Sequence, residues 1–330
     1  MTVDDDGREV LVTTYGFHAS HEQLPPSELL RQVQAAEQAG FSRAMCSDHF
    51  APFGPEQGES GFAWSWLGAA LATTDLPFGV VNAPGQRYHP AIVAQAAATL
   101  AEMFPDRFWM AVGSGELVNE HITGERWPAK DERNARLLES VQVMRALFAG
   151  EMVSHRGLVT VDRAKLWTRP ASPPPIFGAA VSPETARWVG SWADGLITVN
   201  RPVDQLRPVI EAYREGGGAG KPIKLQVHLC WDRDEEKALR IAHEQWRTGI
   251  LGSDVAWDLA MPAEFARATA YVRPDDMREH VLISNDPARH TQWLHEYADL
   301  GFDEIYLHHV GQHQQDFLDT FATQILPTLT

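Results

Sequence analysis

The chain has 330 residues, 44% of them hydrophobic, and a formal net charge of −16. That is apolar material for one large core or two modest domains, a size that suits a (β/α) barrel with insertions, and the acidity opposes binding to nucleic acid or anionic membranes. Two cysteines, Cys46 and Cys230, are too few for a disulfide framework or a thiolate metal site and suit a reducing cytoplasm, and no apolar stretch is long enough to span a bilayer.

The acidic start, Met1 to Asp6, lacks the basic and apolar regions of a secretory signal. Residues 1–10 read as a short disordered tail before one domain over 11–330. Val10 to Phe17 reads as a first strand, and Pro25-Pro26-Ser27 opens a helix through Ala39 that Gly40 closes. Arg43 to Cys46 reads as a second strand, Phe78 to Val81 as a third and Phe108 to Val112 as a fourth, with helices from Pro90 to Phe104 and from about Asn134 to Ala149. His155 to Pro175 looks like a hairpin and a proline-rich connector. Ile176 to Ala180, Gly195 to Thr198, Lys224 to Leu229 and Glu304 to His308 bring the strand count to eight. Helices from Pro183, over Val203 to Glu215 and over Gln314 to Leu326 alternate with them, and Gly216 to Gly220 reads as a flexible connection. A tract from about 246 to 280 has no clean period and reads as an insertion over the barrel mouth. Alternation of this kind predicts an α/β fold, a (β/α)8 TIM barrel with insertion segments over its C-terminal face.

The chemistry gathers at strand ends. Asp48-His49 follows the second strand, where a histidine can take a hydroxyl proton and the neighbouring carboxylate can fix a cofactor or the ring tautomer. The plainer alternative makes Asp48 a turn cap and His49 a packed ring. Gly113-Ser114-Gly115-Glu116 leaves the fourth strand with little side-chain bulk, so a planar ligand can lie against the backbone with Glu116 in the same space. A tight turn with Glu116 favoured near a helix start is the alternative. Gly178 to Glu184 forms a small-residue strand exit into a helix, suited to a phosphate through backbone amides and the Ser182 hydroxyl, or to simple capping by Ser182 with Pro183 at the first helical position. His18 ends the first strand and lines the pocket on this reading. Trp64, Trp66 and Trp109 pack around the barrel mouth or core, and Trp188 with Trp192 pack along a helix face. His309 and His313 straddle Gly311 with no carboxylate in a zinc pattern, so no metal is expected.

Ser47-Asp48-His49-Phe50, Phe62 to Trp66, Arg87 to Ala91, Gly113 to Glu116 with Asn119-Glu120, Arg133 to Glu139 with Val141 and Met144-Arg145, Gly301 to Leu307 and Phe317 to Asp319 together carry a resemblance. The sequence resembles the glucose-6-phosphate dehydrogenases that use coenzyme F-420, a branch of the luciferase-like superfamily of TIM barrels. It is especially similar to members described as deazaflavin- or FMN-dependent oxidoreductases. The resemblance implies catalytic roles for His49 and Glu116 and cofactor contacts at Asp48, Val80, Val81, Asn82, Ser114, Gly115, Asn119, Ala179, Ala180, Val181 and Ser182. It also implies a cis peptide at Val80-Val81-Asn82, and substrate contacts at His18, Phe53, Trp66, Arg201 and Arg267. Val181-Ser182-Pro183 stands where F-420 enzymes usually have Gly-Gly-Pro, so FMN remains an alternative to the favoured F-420. Phe53 replaces a family tryptophan, and the lysines that grip a sugar phosphate correspond only loosely to Arg201 and Arg267. The implied function is hydride transfer between a small organic substrate, not a sugar phosphate, and F-420. An FMN-dependent monooxygenase and a non-catalytic flavin-binding protein are the alternatives. A cytoplasmic homodimer without nucleic-acid or membrane partners completes the expectation.

Overall fold

The computed structural model describes residues 2–3, 9–10 and 13–329. Thr2–Val3 pairs antiparallel with Glu9–Val10; the rest of the segment read as a tail, and residues 11–12 of the expected first strand, lie outside the described residues. Eight parallel strands follow: β1 (Thr14–Ala19), β2 (Arg43–Ser47), β3 (Phe78–Asn82), β4 (Phe108–Val112), β5 (Ile176–Ala179), β6 (Gly195–Val199), β7 (Ile223–Cys230) and β8 (Glu304–His309). They neighbour one another in chain order, and β8 pairs with β1, so the sheet closes into a (β/α)8 barrel. The two-residue strand Leu282–Ile283 adds to the end of β7.

The long helices pack an apolar face against the strands. Pro26–Gln38 starts with proline in its first turn and turns Leu29, Val33 and Ala36 inward at helical spacing. The helix Lys130–Phe148 begins four residues before the expected Asn134, with Asp131 and Glu132 in its first turn, where the helix dipole favours carboxylates. Ala63–Thr73 has no such signature. It is apolar on nearly every side, with Trp64, Trp66, Leu67, Ala70 and Leu71 buried, so it has no polar face to mark a period. Glu235–Trp246 and Pro287–Ala298 complete the helical ring, and the tract after 246 is broken into short turns at Arg247–Ile250, Ser253–Ala256, Pro262–Ala268 and Pro274–Glu279.

Inside the barrel, Met45, Trp109, Ala111, Phe177, Ile197 and Tyr306 form a separate apolar core. Trp109 fits because β3 carries glycine opposite it: a Cβ on Gly79 would lie 2.0 Å from the indole. Gly79→Ala is therefore an overpacking change in a site with no room to relax, and it is expected to cost about 1–3 kcal/mol of unfolding free energy, read from urea denaturation. A change below a few tenths of a kcal/mol would show that the indole shifts freely. Beneath this core, Lys224 pairs with Glu304 and lies 4.4 Å over the Trp109 ring. Arg43 Nε stands 3.2 Å from the same carboxylate. The N-terminal end is thus plugged by paired charges and rings, which leaves the C-terminal end as the open one.

Two expectations are corrected here. Gly216 to Gly218 is not a flexible connection. It forms a tight turn, Arg214–Gly218, pressed on the helix Pro183–Gly190, where a Cβ on Gly216 would lie 1.9 Å from the Arg187 carbonyl oxygen. The glycines serve close helix approach. The cis peptide implied for Val80-Val81-Asn82 is also absent, and no cis bond occurs among the described residues. Val81 and Asn82 stay paired with Ala111 and Val112, so β3 ends in regular register without a bulge.

Candidate active site

A cavity of about 360 Å³ opens at the C-terminal ends of the strands, within the range of small-molecule sites. His49 sits just past β2. Its Nδ1 lies 2.5 Å from Glu22 Oε1, and its Nε2 lies 3.8 Å from Glu116 Oε2 at the exit of β4. Glu22, on the loop after β1, is buried and also accepts a hydrogen bond from the Ser20 hydroxyl at 2.7 Å. Burial opposes a charged Glu22, but the His49 ring and the Ser20 hydroxyl bring its pKa down to about 2. Burial likewise opposes a charged His49, yet Glu22, aided by Glu116, holds the imidazole pKa above its ordinary value. Glu116 is pushed up, chiefly by burial. The neutral form of His49 thus donates Nδ1–H to an ionised Glu22 and turns Nε2 to the cavity, beside a carboxyl that retains its proton more readily than usual.

Asp48 is held from two sides. Asn82 Nδ2 donates to Asp48 Oδ2 at 2.9 Å, and Arg87 Nη2 donates to the Asp48 carbonyl oxygen at 2.7 Å and approaches Oδ2 at 3.3 Å. Arg87 is anchored in turn by Glu120, which accepts its backbone N–H at 2.6 Å and faces its Nε at 3.6 Å. Asn119 joins the two loops: its Oδ1 accepts from the Phe50 amide at 2.8 Å and its Nδ2 donates to Glu116 at 3.2 Å. Asp48 Oδ1 and Asn82 Oδ1 are buried without partners and belong to cavity-lining residues. Buried acceptors of this kind at a cavity wall are suited to a ligand that brings N–H donors, such as a planar heterocycle.

The structure brings together most of the residues singled out in the sequence. His18, Asp48, His49, Phe53, Val81, Asn82, Ser114, Gly115, Glu116, Asn119, Ala179, Ala180, Val181 and Arg201 all line the cavity. Val80 packs in the layer between strands and helices and is not among the cavity-lining residues. Ser182 caps the helix that follows β5, accepting from the Thr185 amide at 3.3 Å, while Thr185 itself lines the cavity. Trp66 is packed between helix and sheet, donating Nε1–H to the Pro26 carbonyl and meeting Phe78 edge-on, away from the cavity. Arg267 is exposed on Pro262–Ala268 and stands outside the lining. Trp188, read as helix packing, does pack on Trp192 at 5.2 Å but also lines the cavity.

Glu22 and Arg87 line the cavity and contact its candidate residues, yet sequence reasoning gave neither a role. Glu22 has no local signature, being one carboxylate in a loop 27 residues before its histidine. Arg87 stood among the resemblance motifs without a role. Among the described residues, no three or more His, Cys, Asp or Glu side chains are placed to hold a metal ion, and no helix is long and apolar enough to cross a membrane. Glu22→Gln is expected to lower kcat/KM by about a hundredfold. Because Glu22 raises the His49 pKa, and His49 must be neutral to accept a proton, activity should rise with pH through a limb placed above that of an ordinary histidine in the native protein. In the variant that limb should move to lower pH. An unmoved limb in the pH profile would break the link between the two residues.

A closed (β/α)8 barrel with a histidine–carboxylate pair and buried polar groups lining a cavity at its open end has the layout of a TIM-barrel enzyme site. The chain belongs to the luciferase-like monooxygenase family, whose model matches residues 9–304. It is 35% identical over 326 residues to an F420-dependent glucose-6-phosphate dehydrogenase of Nakamurella multipartita, covering 96% of each chain. It is 34% identical over 328 residues to the protein of the same name from Intrasporangium calvum, covering 95% of this chain and 98% of that one. Among solved structures it is similar to an F420-dependent secondary alcohol dehydrogenase in complex with an F420-acetone adduct, with a TM-score of 0.90, 29% identity and coverage of 97% and 99%. The coenzyme F420-dependent tetrahydromethanopterin reductase from Methanopyrus kandleri shares the fold, with a TM-score of 0.78 at 18% identity and coverage of 97% and 100%.

Proposed function

We propose that the protein is an F420-dependent oxidoreductase that oxidises the carbinol carbon of a small organic substrate, or runs that reaction in reverse. The observation that carries this reading is His49 Nε2, turned into the cavity and 3.8 Å from Glu116, with Nδ1 fixed by Glu22. Asp48, Asn82, Asn119, Ser114, Gly115 and the Ala179–Val181 exit of β5 would hold the deazaflavin, with Ser182 close to its phosphate. The bound coenzyme supplies the hydride acceptor. His49 takes the hydroxyl proton at Nε2 as the C–H bond of the substrate breaks, and Glu22 compensates the imidazolium that results. Glu116 supplies a hydrogen bond or a proton at the same place.

FMN-dependent monooxygenase chemistry and cofactor storage without turnover are the competing readings. F420 is favoured because the curated relatives that span this chain carry it in their names, and storage requires neither His49 nor its carboxylates. The same reading takes the protein as a cytoplasmic homodimer acting on a small molecule, as the family resemblance implies. Fluorescence titration of the purified protein with F420 and with FMN tests it. Saturable F420 binding with weak or no FMN binding is expected, followed by loss of F420 absorbance when an oxidisable alcohol is added. Tight FMN binding with no response to F420 would overturn the assignment.

A further inference from the structure

Beside the proton-handling pair, the cavity has a second polar region that the proposed chemistry does not use. His18, His308 and His228 come from β1, β8 and β7, three adjacent strands of the barrel, and all three line the cavity. His228 stands opposite His308 in the β7–β8 register. The His18 and His308 rings stack at 4.4 Å, and His228 lies 5.4 Å from His308 and 4.7 Å from the Trp246 ring.

The surrounding hydrogen bonds set the protonation of two of these rings. Gln23 donates Nε2–H to the Val310 carbonyl, so its Oε1 must be the atom that accepts from His308 Nε2 at 2.8 Å. Asn200 Oδ1 accepts the His228 backbone N–H at 2.9 Å, so it also accepts from His228 Nδ1 at 3.0 Å. The remaining nitrogens, His308 Nδ1 and His228 Nε2, both face the Gln226 amide nitrogen, at 3.4 and 3.2 Å. Both are acceptors toward that donor, which the imidazolium form could not be. Burial reinforces the neutral state: His228 is pushed down to about 3, His18 to about 4, and His308 well below the ordinary value.

His18 differs from the other two. It is 4% exposed, and neither of its ring nitrogens is hydrogen-bonded to another of the described residues. A neutral imidazole with one free donor and one free acceptor, both out of water, is complementary to a hydroxyl, which can accept and donate at once. It is a poor partner for an anion. The cations lining the cavity are Arg87, Lys130 and Arg201; Arg87 is committed to Asp48 and Glu120, and none of the three makes a hydrogen bond or ring contact with the histidines. The ionised Glu22 acts on His18 as well as on His49, so a phosphate or carboxylate placed here would meet a negative charge. The neighbouring walls are aromatic: Phe53 packs edge-on to His49 at 4.9 Å and to Phe265 at 5.6 Å, and Trp246 packs edge-on to His308 at 4.7 Å.

We infer that His18, backed by His308 and His228, is a specificity subsite for an uncharged substrate that carries a second hydroxyl or carbonyl oxygen besides its reacting carbinol, with an apolar body against Phe53 and Trp246. This inference rests on the oxidoreductase reading for the reacting carbinol, but the subsite itself stands on the protein alone.

Three probes that share an aromatic body and a secondary carbinol separate the possibilities: 1-phenylethanol, 1-phenylethane-1,2-diol and mandelate, with glucose 6-phosphate as a fourth. In protein labelled with ¹⁵N-histidine, the diol should shift the His18 imidazole resonances while the ring stays neutral, and 1-phenylethanol should shift them much less. In F420-coupled assays the diol should exceed 1-phenylethanol in kcat/KM by about tenfold to a hundredfold, with mandelate and glucose 6-phosphate poorer than either alcohol. His18→Phe should bring the diol-to-phenylethanol ratio close to one with F420 still bound, and His18→Asn, which keeps a donor and an acceptor, should restore part of it. Unchanged His18 resonances with the diol, a preference for either anion, or equal losses for both alcohols in His18→Phe would overturn the inference. F420 binding and reduction without a diol-induced shift would remove the subsite and leave the oxidoreductase reading intact. A diol-induced shift in a protein that binds no F420 would do the reverse.

Discussion

His49→Ala lowers kcat by about a hundred- to ten-thousand-fold, the range a positioned general base contributes, while the affinity for F420 measured by fluorescence quenching changes little. The reason is positional. His49 Nε2 is the cavity-facing nitrogen of a ring whose other nitrogen is tied to Glu22 at 2.5 Å, so it is poised to receive a proton when a substrate hydroxyl binds. Alanine removes the proton acceptor and leaves the buried Glu22 carboxylate with the Ser20 hydroxyl as its remaining side-chain hydrogen-bond donor. A conservative His49→Gln should retain the fold and remain as slow as alanine, because glutamine cannot take up the proton at neutral pH. A fall of less than tenfold in both variants, with cofactor still bound, would mean that the proton leaves by another route.

Arg87→Met has the largest expected effect on stability. Its side chain is 6% exposed, and it lies between Asp48 and Glu120, whose side chains are 0% and 2% exposed. Methionine fills similar space but strands two buried carboxylates. Breaking a buried ion pair on one side costs about 3–5 kcal/mol. Urea denaturation reads the loss, and F420 titration should show weaker binding as well, since Arg87 also holds the Asp48 backbone carbonyl. The loss should shrink as the pH falls, because burial already raises the Glu120 pKa and protonation there relieves the unpaired charge. A change below about 1 kcal/mol would show that water or a backbone shift compensates both carboxylates.

Much of the fold was legible from local pattern. All eight strands were anticipated within a few residues, because a parallel strand buried on both faces is a short apolar run with glycine, proline or aspartate at its ends. The helix Ala63–Thr73 was not, since even its exposed stripe, Ser65, Ala69, Ala72 and Thr73, is small and carries no charge to mark an amphipathic period. Gly216 to Gly218 misled for the opposite reason. A run of glycines looks the same whether it serves looseness or contact, and only the Arg187 backbone pressed against it shows which. At the site, Asp48-His49 and Glu116 could be read because each follows its own strand directly. Glu22 and the partners of Arg87 could not, because each acts across a distance of about thirty residues or more that no local pattern spans.

By itself the sequence determined the alternation of strands and helices, the strand exits that carry His49 and Glu116, and the acidic balance, all of which follow from neighbours along the chain. Only the tertiary structure decided that Trp66 and Arg267 stand away from the cavity and that Ser182 caps a helix. It also decided that His18, His228 and His308 meet as one buried cluster and that Glu22 faces His49. Closing the barrel sets which residues of β1, β7 and β8 share a level inside it, and burial at that level strips the rings of water. The protonation of those rings, and what they can bind, follows from that closure.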